Sequence, residues 1–376
     1  MEENSQTTRS IYLSTSLHFD SLLDFREAGA GQPKLRGQTA VGIDNGYGLQ
    51  GNPTLHALQD SISRLEKGTY SLLFPSGLTA LIALGAFLKS GDHWLIPDSV
   101  YAPLQRYAKY LQERYGIIYS LYNPGDLKTL SKAIKKETKL IHIESPSSVT
   151  FDITDIDEVV KIAKSKDILT SADNTWASGV LCQPLDHGVD ISILSLTKYP
   201  AGYSDVFMGS ITTRNQSLFG LLSYYHRVFG YTVSPFSAML VTRGLETLMV
   251  RLAAHETSAT KLVEAFELSK KILRINYIDS SKIKTFSGSN GLFSIELDRL
   301  YTNIELEKLL SVFSTFKIGE SWGGTRSLVL PFQPDELSNR LNPPINTIVR
   351  FHSGLEDIVL QTQDVVAFIE ALDLTP

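Results

Sequence analysis

The sequence predicts an α/β protein with a large domain on a mainly parallel sheet and a smaller C-terminal α/β domain. Three observations carry this expectation. From about residue 52 onward, helix-period segments alternate with short apolar runs, the pattern of strands joined by helical crossovers. Polar residues follow several of those runs directly, where open sheets of this kind place their ligands. At 376 residues the chain is too long for one ordinary domain and suits a large unit with a companion.

Taken in order, the first fifty residues hold Gly29, Gly31, Gly37, Gly42, Gly46 and Gly48 without periodicity, which predicts an extended arm over 1–51. Thr54 is expected to cap a helix whose Leu55, Leu58, Ile62 and Leu65 share one face, with Gly68 ending it. Tyr70 to Phe74 reads as a strand, followed by Pro75-Ser76-Gly77 and an apolar helix from about Leu78 to Leu88. Buried strands are expected at His93 to Ile96, Ile117 to Leu121, Leu140 to Ile143, Ile168 to Ala172 and Ile191 to Leu194. Helical patterns at about Ala102 to Tyr115 and Ile156 to Ser165 separate some of them, as right-handed crossovers require. A helical stretch from about Pro235 to Leu273 leads to shorter mixed patterns. The expected organisation is the arm, a large domain over 52–257 and a C-terminal domain over 258–376.

Composition narrows the function classes. Hydrophobic residues at 43% and charged ones at 20% match a folded protein, not a disordered one. With 35 basic against 40 acidic residues and no long basic run, nucleic acid is not an expected partner. One cysteine, Cys182, leaves no internal disulfide and no cysteine-based metal site within one chain, which suits a reducing compartment. Met1 to Arg9 is polar, and no run of about 18 apolar residues occurs, so a cytoplasmic protein away from membranes is expected.

The chemistry is concentrated after the strands. Ser76-Gly77 opens a helix, where bare backbone N–H groups suit a phosphate, although an ordinary helix start has the same look. Asp173 after the strand at 168–172 suits a protonated ring nitrogen, or only a turn cap. Ser195-Leu196-Thr197-Lys198 follows the strand at 191–194. Burial and neighbouring cations lower a lysine pKa and make its amine nucleophilic, as Schiff-base formation requires, and Ser195 and Thr197 can face the same phosphate, although a Thr-Lys pair alone also fits a solvated surface lysine.

At these residues the sequence resembles the pyridoxal-phosphate enzymes of cysteine and methionine metabolism. The resemblance runs from Tyr12-Leu13-Ser14-Thr15 through Asn52-Pro53-Thr54, Pro75-Ser76-Gly77, Asp173-Asn174-Thr175-Trp176, Asp186-His187-Gly188-Val189-Asp190 and Thr197-Lys198-Tyr199. It continues through Ser204-Asp205, Thr242-Arg243-Gly244-Leu245 and Ser321-Trp322-Gly323-Gly324 to Gly354-Leu355-Glu356-Asp357. It implies the type I fold of PLP-dependent transferases and a pyridoxal 5'-phosphate cofactor carried on Lys198, which also shuttles the proton. It implies that Asp173 holds the pyridine nitrogen, and that Gly77 and Leu78 N–H groups with the Ser195 and Thr197 hydroxyls bind the phosphate. It further implies that Tyr101 stacks on the ring, that Arg350 and Ser321 take the substrate carboxylate, and that Trp322 marks the β-lyases. Tyr47 would arrive from a neighbouring subunit, giving a homodimeric catalytic unit, commonly a tetramer.

The pattern breaks at Leu49, where the family carries an arginine that reaches the phosphate, with Lys34 and Arg36 as candidate replacements. Met239, Tyr203 and Glu320 also depart, Glu320 towards the γ-acting members. The expectation is therefore a carbon–sulfur lyase that cleaves L-cystathionine or a related amino acid by β-elimination. A γ-lyase or γ-replacement enzyme is the nearest alternative, and a non-catalytic binding module is the alternative from another class.

Overall fold

The structure is a computed structural model and describes residues 10–16, 18–29 and 47–375. Much of the expected arm lies outside the described residues, including Gly31, Gly37, Gly42, Gly46, Lys34 and Arg36. Within them, helix α1 (Leu22–Gly29) precedes α2 (Pro53–Leu65). Asn52, not Thr54, caps α2: its side-chain oxygen accepts from the N–H groups of Thr54 and Leu55 at 3.0 and 3.1 Å. Pro53 is tolerated in the first turn because an N–H there has no helical partner. The Thr54 hydroxyl instead accepts from the Tyr12 N–H at 2.8 Å and ties down the start of the chain.

The large sheet is built from β1 (Tyr70–Phe74), β2 (His93–Pro97), β3 (Ile118–Tyr122), β4 (Thr138–Glu144), β5 (Leu169–Asp173), β6 (Ile191–Ser195) and β7 (Gly209–Thr213). Its order is β1-β7-β6-β5-β4-β2-β3. β3, β2, β4, β5 and β6 run parallel, while β7 is antiparallel to both neighbours. Every strand expected from an apolar run is present. β7 escapes notice in the sequence because Gly-Ser-Ile-Thr-Thr is only weakly apolar. Helices α3 (Gly77–Ile82), α4 (Ala102–Tyr115), α5 (Leu127–Ala133) and α6 (Ile156–Lys164) accompany the sheet. Its two faces bury separate cores, one around Leu95, Ile141 and Val159, the other around Leu72, Trp94 and Ile191. The helix expected to reach Leu88 stops at Ile82 and tightens to a 3₁₀ turn over Ala83–Phe87. Gly85 lies in that turn, and a Cβ there would fall 2.3 Å from the Tyr107 hydroxyl.

Helices α7 (Gln216–Val228), α8 (Pro235–Glu246) and α9 (Leu248–Phe266) lead to the second sheet. The single stretch expected over 235–273 is thus two helices broken at Thr247, and it ends before β8 (Ile272–Asn276). The break follows the close packing of α8: a Cβ on Gly244 would lie 2.3 Å from the Pro200 carbonyl oxygen. The second sheet adds β9 (Leu292–Leu297), β10 (Lys317–Ile318), β11 (Leu328–Phe332) and β12 (Ile348–His352), in the order β10-β11-β12-β9-β8. Helices α10 (Asn303–Leu310) and α11 (Ile358–Leu374) complete it. Phe266, Phe293, Phe316, Phe351 and Phe368 fill its core, with Phe266 and Phe351 ring centres 5.0 Å apart.

A buried carboxyl fastens α2 beneath the large sheet. Glu66, the C-cap of α2, is fully buried and accepts from the Ser192 hydroxyl and, at 3.0 Å, from the Asn174 amide. It thereby braces the turn that follows β5. Burial pushes this carboxyl up to about 7, against the hydrogen bonds, which pull it down.

Two outcomes follow. Phe368→Ala should lower unfolding free energy by about 3–5 kcal/mol in denaturant titration, the usual cost of emptying a buried aromatic site. For Glu66 the folded carboxyl holds its proton more tightly than the unfolded one, so its contribution is complete below about 4.5 and is lost as pH rises through about 7. Melting temperature across that window should fall in the native chain and fall less in Glu66→Gln, the difference corresponding to roughly 3 kcal/mol at most.

Candidate active site

The carboxyl ends of β4, β5 and β6 lie side by side, with Glu144 opposite Asp173 and Asp173 opposite Ile193 in register. Neighbouring parallel strands therefore deliver their last residues to one edge, and Lys198 follows in the turn after β6. Its Nζ donates to Ser321 Oγ at 3.0 Å and stands 5.1 Å from the centre of the Trp322 ring. Burial lowers its pKa to about 8, and the Arg350 guanidinium pushes the same way, while Asp173 and Glu320 oppose it. About a tenth of the amine is then uncharged at pH 7, far more than in an ordinary lysine.

Arg350 projects from β12, buried, with its guanidinium donating to the Glu320 carbonyl and packed 5.4 Å from the Phe332 ring centre. Burial draws its pKa down to about 10, which leaves it cationic at neutral pH. One end of the 320–324 loop is thus held by Arg350, and Ser321 within that loop contacts Lys198. The amine and the guanidinium are brought to the same loop from the two different sheets of the fold.

On the other flank, Asp173 accepts from the Thr175 N–H at 2.9 Å, and burial raises its pKa despite the Lys198 charge. The Thr175 hydroxyl accepts from the Ser195 N–H at 2.8 Å, so the ends of β5 and β6 are locked together. Tyr101, at the start of α4, keeps 43% of its surface exposed, and its N–H donates to Glu144 Oε2 at 2.8 Å. Burial first, and then Asp173, push the Glu144 carboxyl up to about 8. Sequence reasoning passed over Glu144, yet it ends a strand just as Asp173 does, and that position was the available signal.

The start of α3 meets the end of β6 with no room for side chains. A Cβ on Gly77 would lie 2.5 Å from Ser195 Cβ, and one on Gly209 would lie 2.3 Å from the Ser76 carbonyl oxygen. The Ser76 hydroxyl caps the Thr79 N–H at 3.0 Å and the Ser76 carbonyl takes Ala80 at 3.1 Å, which leaves the Gly77 and Leu78 N–H groups for a ligand. This cradle, with the Ser195 hydroxyl beside it, fits a phosphate. Asp173, Tyr101 and Lys198 fit the remainder of the cofactor that the sequence resemblance implies. Thr197 is differently engaged: its hydroxyl donates to the Met208 carbonyl at 3.2 Å and accepts from the Met208 N–H at 3.0 Å, closing the loop between β6 and β7.

Tyr47 stands apart from this group within the chain. It is 55% exposed and forms an isolated bridge with Ser16, and Leu49 beside it is 40% exposed. Of the other departures, Tyr203 lies on the surface with the Arg251 guanidinium 5.8 Å from its ring centre, and Met239 is partly buried in α8. Among the described residues there is no cluster of potential metal ligands, and no helix is long and apolar enough to cross a membrane.

Comparison with known proteins extends over nearly the whole chain. Residues 1–370 match the sequence model of the Cys/Met metabolism PLP-dependent enzymes. An L-alanine/L-glutamate racemase of Wolbachia pipientis wMel is 35% identical over 358 residues, 92% of this chain and 88% of that protein. A cystathionine β-lyase of Escherichia coli (strain K12) is 34% identical over 340 residues, 86% of this chain and 85% of that protein. Among solved structures, a cystathionine γ-synthase from Xanthomonas oryzae pv. oryzae superposes with a TM-score of 0.86 at 26% identity, covering 98% of this chain and 94% of that one.

Proposed function

The chain belongs to the Cys/Met metabolism PLP-dependent enzymes, and from that premise we propose that it cleaves L-cystathionine, or a related sulfur amino acid, by β-elimination. With cystathionine and one water, the products are homocysteine, pyruvate and ammonia. The observation that carries this reading is the convergence of Asp173 at the end of β5, Lys198 in the turn after β6 and Arg350 from the middle of β12 in the second sheet, the last two meeting at the 320–324 loop.

Bound pyridoxal 5'-phosphate supplies an electron sink conjugated to the substrate Cα. Lys198 would hold the cofactor, and its Nζ would serve as the base for the Cα proton, a role its lowered pKa favours. Asp173 pairs with the cofactor ring nitrogen. Gly77, Leu78 and Ser195 bind the phosphate, and Thr197 keeps Ser195 and Lys198 in place through its two bonds to Met208. Arg350 takes the substrate carboxylate in the two-pronged geometry a guanidinium permits, with Ser321 beside it. Tyr101 would stack on the cofactor ring, and Trp322, its ring centre 5.1 Å from Lys198 Nζ, screens the amine from water. Tyr47 serves the site of a neighbouring subunit.

The dimeric unit, commonly paired into a tetramer, is part of the same reading. Its support is the apolar surface of the N-terminal segment: Tyr12, Leu13, Leu22, Leu23 and Phe25 are all exposed. The reading also keeps a cofactor-binding unit over 52–257 and a C-terminal unit over 258–376, joined through α9. That helix carries Arg251 against the Tyr199 carbonyl at one end and Phe266 in the second core at the other. We place the enzyme in the cytoplasm, where the buried thiol of Cys182 stays reduced.

Glu320 favours a second reading. Its carboxylate acts on Lys198, Tyr101 and Arg350 together, which gives the site an acidic feature that the sequence resemblance associates with γ-acting relatives. Proton transfer at Cα also serves racemisation, the activity named for the Wolbachia relative.

Purified enzyme with added cofactor should show a visible absorbance band that borohydride abolishes, and Lys198→Ala should lose both that band and at least about 1,000-fold in turnover. A Lys198→Ala protein with native turnover would exclude the role given to this residue. Cystathionine should yield pyruvate. Release of 2-oxobutyrate instead would establish the γ reading, and conversion of L-alanine to its D-form without pyruvate from cystathionine would establish racemisation.

A further inference from the structure

Arg350 and His352 are two residues apart on β12 and therefore share one face of the strand. Arg350 holds the Glu320 carbonyl, while His352 Nε2 lies 3.1 Å from the Gly323 nitrogen and 3.0 Å from the Gly324 carbonyl oxygen. One strand face thus grips the 320–324 loop at both ends. Between the two grips sit Ser321, which accepts from Lys198 Nζ at 3.0 Å, and Trp322, whose ring centre is 5.1 Å from the same atom.

The loop is pressed directly onto the Lys198 backbone. Gly323 has φ +84, and a Cβ there would lie 2.7 Å from the Tyr199 nitrogen and 2.9 Å from the Lys198 carbonyl carbon. On its far side the imidazole faces the Tyr199 hydroxyl, 3.5 Å from Nδ1, and the His255 ring, centred 5.2 Å away. Tyr199 is itself fixed, donating to Asn290 Oδ1 at 3.2 Å and accepting from the Gly291 N–H at 3.0 Å. An apolar residue would fill the space equally well, but it would offer the Gly323 N–H no acceptor. Burial keeps the ring neutral, with its pKa lowered to about 3, and His255, Arg350 and Lys198 add to that effect. Its Nε2 can therefore present a lone pair to Gly323.

We propose that His352 is a positioning residue for Lys198: it holds the Gly323 N–H so that Ser321 Oγ and the Trp322 ring stay against the amine and keep water from it. Releasing the loop admits water, and the amine moves back towards the behaviour of an ordinary lysine. The charged and titratable groups that bear on the amine, Arg350, Asp173 and Glu320, remain in every variant below.

This inference rests on Lys198 being the reactive amine, and the experiment separates the two. The full-length chain is freed of cofactor and labelled with acetic anhydride across pH, and modification of Lys198 is followed by mass spectrometry. The native midpoint should lie near 8. In His352→Leu, Lys198 labelling at pH 7 should drop about tenfold, one unit of midpoint, and His352→Gln, which restores a polar tip, should recover most of it. A folded His352→Leu protein with the native midpoint overturns the proposal. If that variant does not fold, His352→Asn, whose amide stops short of the loop, carries the same comparison against His352→Gln. A native midpoint near that of ordinary lysine overturns instead the reading of Lys198 as an activated amine.

Discussion

The site depends on one amine held out of water. A charged lysine ammonium is strongly hydrated, so wedging Lys198 between Ser321 and the Trp322 ring, with Arg350 nearby, penalises the cation and favours the free base. The protein meets that cost with distant parts of the chain. Lys198 follows a strand of the large sheet, and the loop against it hangs from β12 of the second sheet. Neither sheet alone makes the environment, which explains why α9 runs between them with Arg251 pinning the Tyr199 carbonyl.

Close backbone approach is the second constraint. Gly77 against Ser195, Gly209 against Ser76 and Gly323 against Lys198 each leave less room than a methyl group needs. The phosphate cradle and the lysine loop are built from such contacts, so these glycines are specified by geometry and not by flexibility alone. Loss of a side chain is what permits the ends of α3, β6 and the 320–324 loop to meet.

Electrostatics divides the site into two halves. Asp173 and Glu144 stand on adjacent strand ends; burial makes both carboxyls harder to ionise, and the Asp173 charge adds to the effect at Glu144. Arg350 faces the other half and remains cationic, ready for a carboxylate. Glu320 sits at the border, and its charge is the feature by which this site departs from a plain β-lyase pattern.

The sequence by itself determined the alternation of elements and the residues at strand ends, because apolar periodicity is a local property. Tyr70–Phe74 and Ala102–Tyr115 appear where the pattern places them, and Asp173 and Lys198 follow their strands. It did not disclose β7, whose residues are too weakly apolar to mark a strand, or the break at Thr247, three residues beyond the packing of Gly244 on Pro200. The family motifs marked Arg350 and Ser321 for the site, but only tertiary structure decided what stands beside them. Glu144 under Tyr101, Thr175 between two strands and His352 behind the Gly323 loop are set by long-range contacts. Those contacts join residues 20 to 43 positions apart, and no local pattern records them.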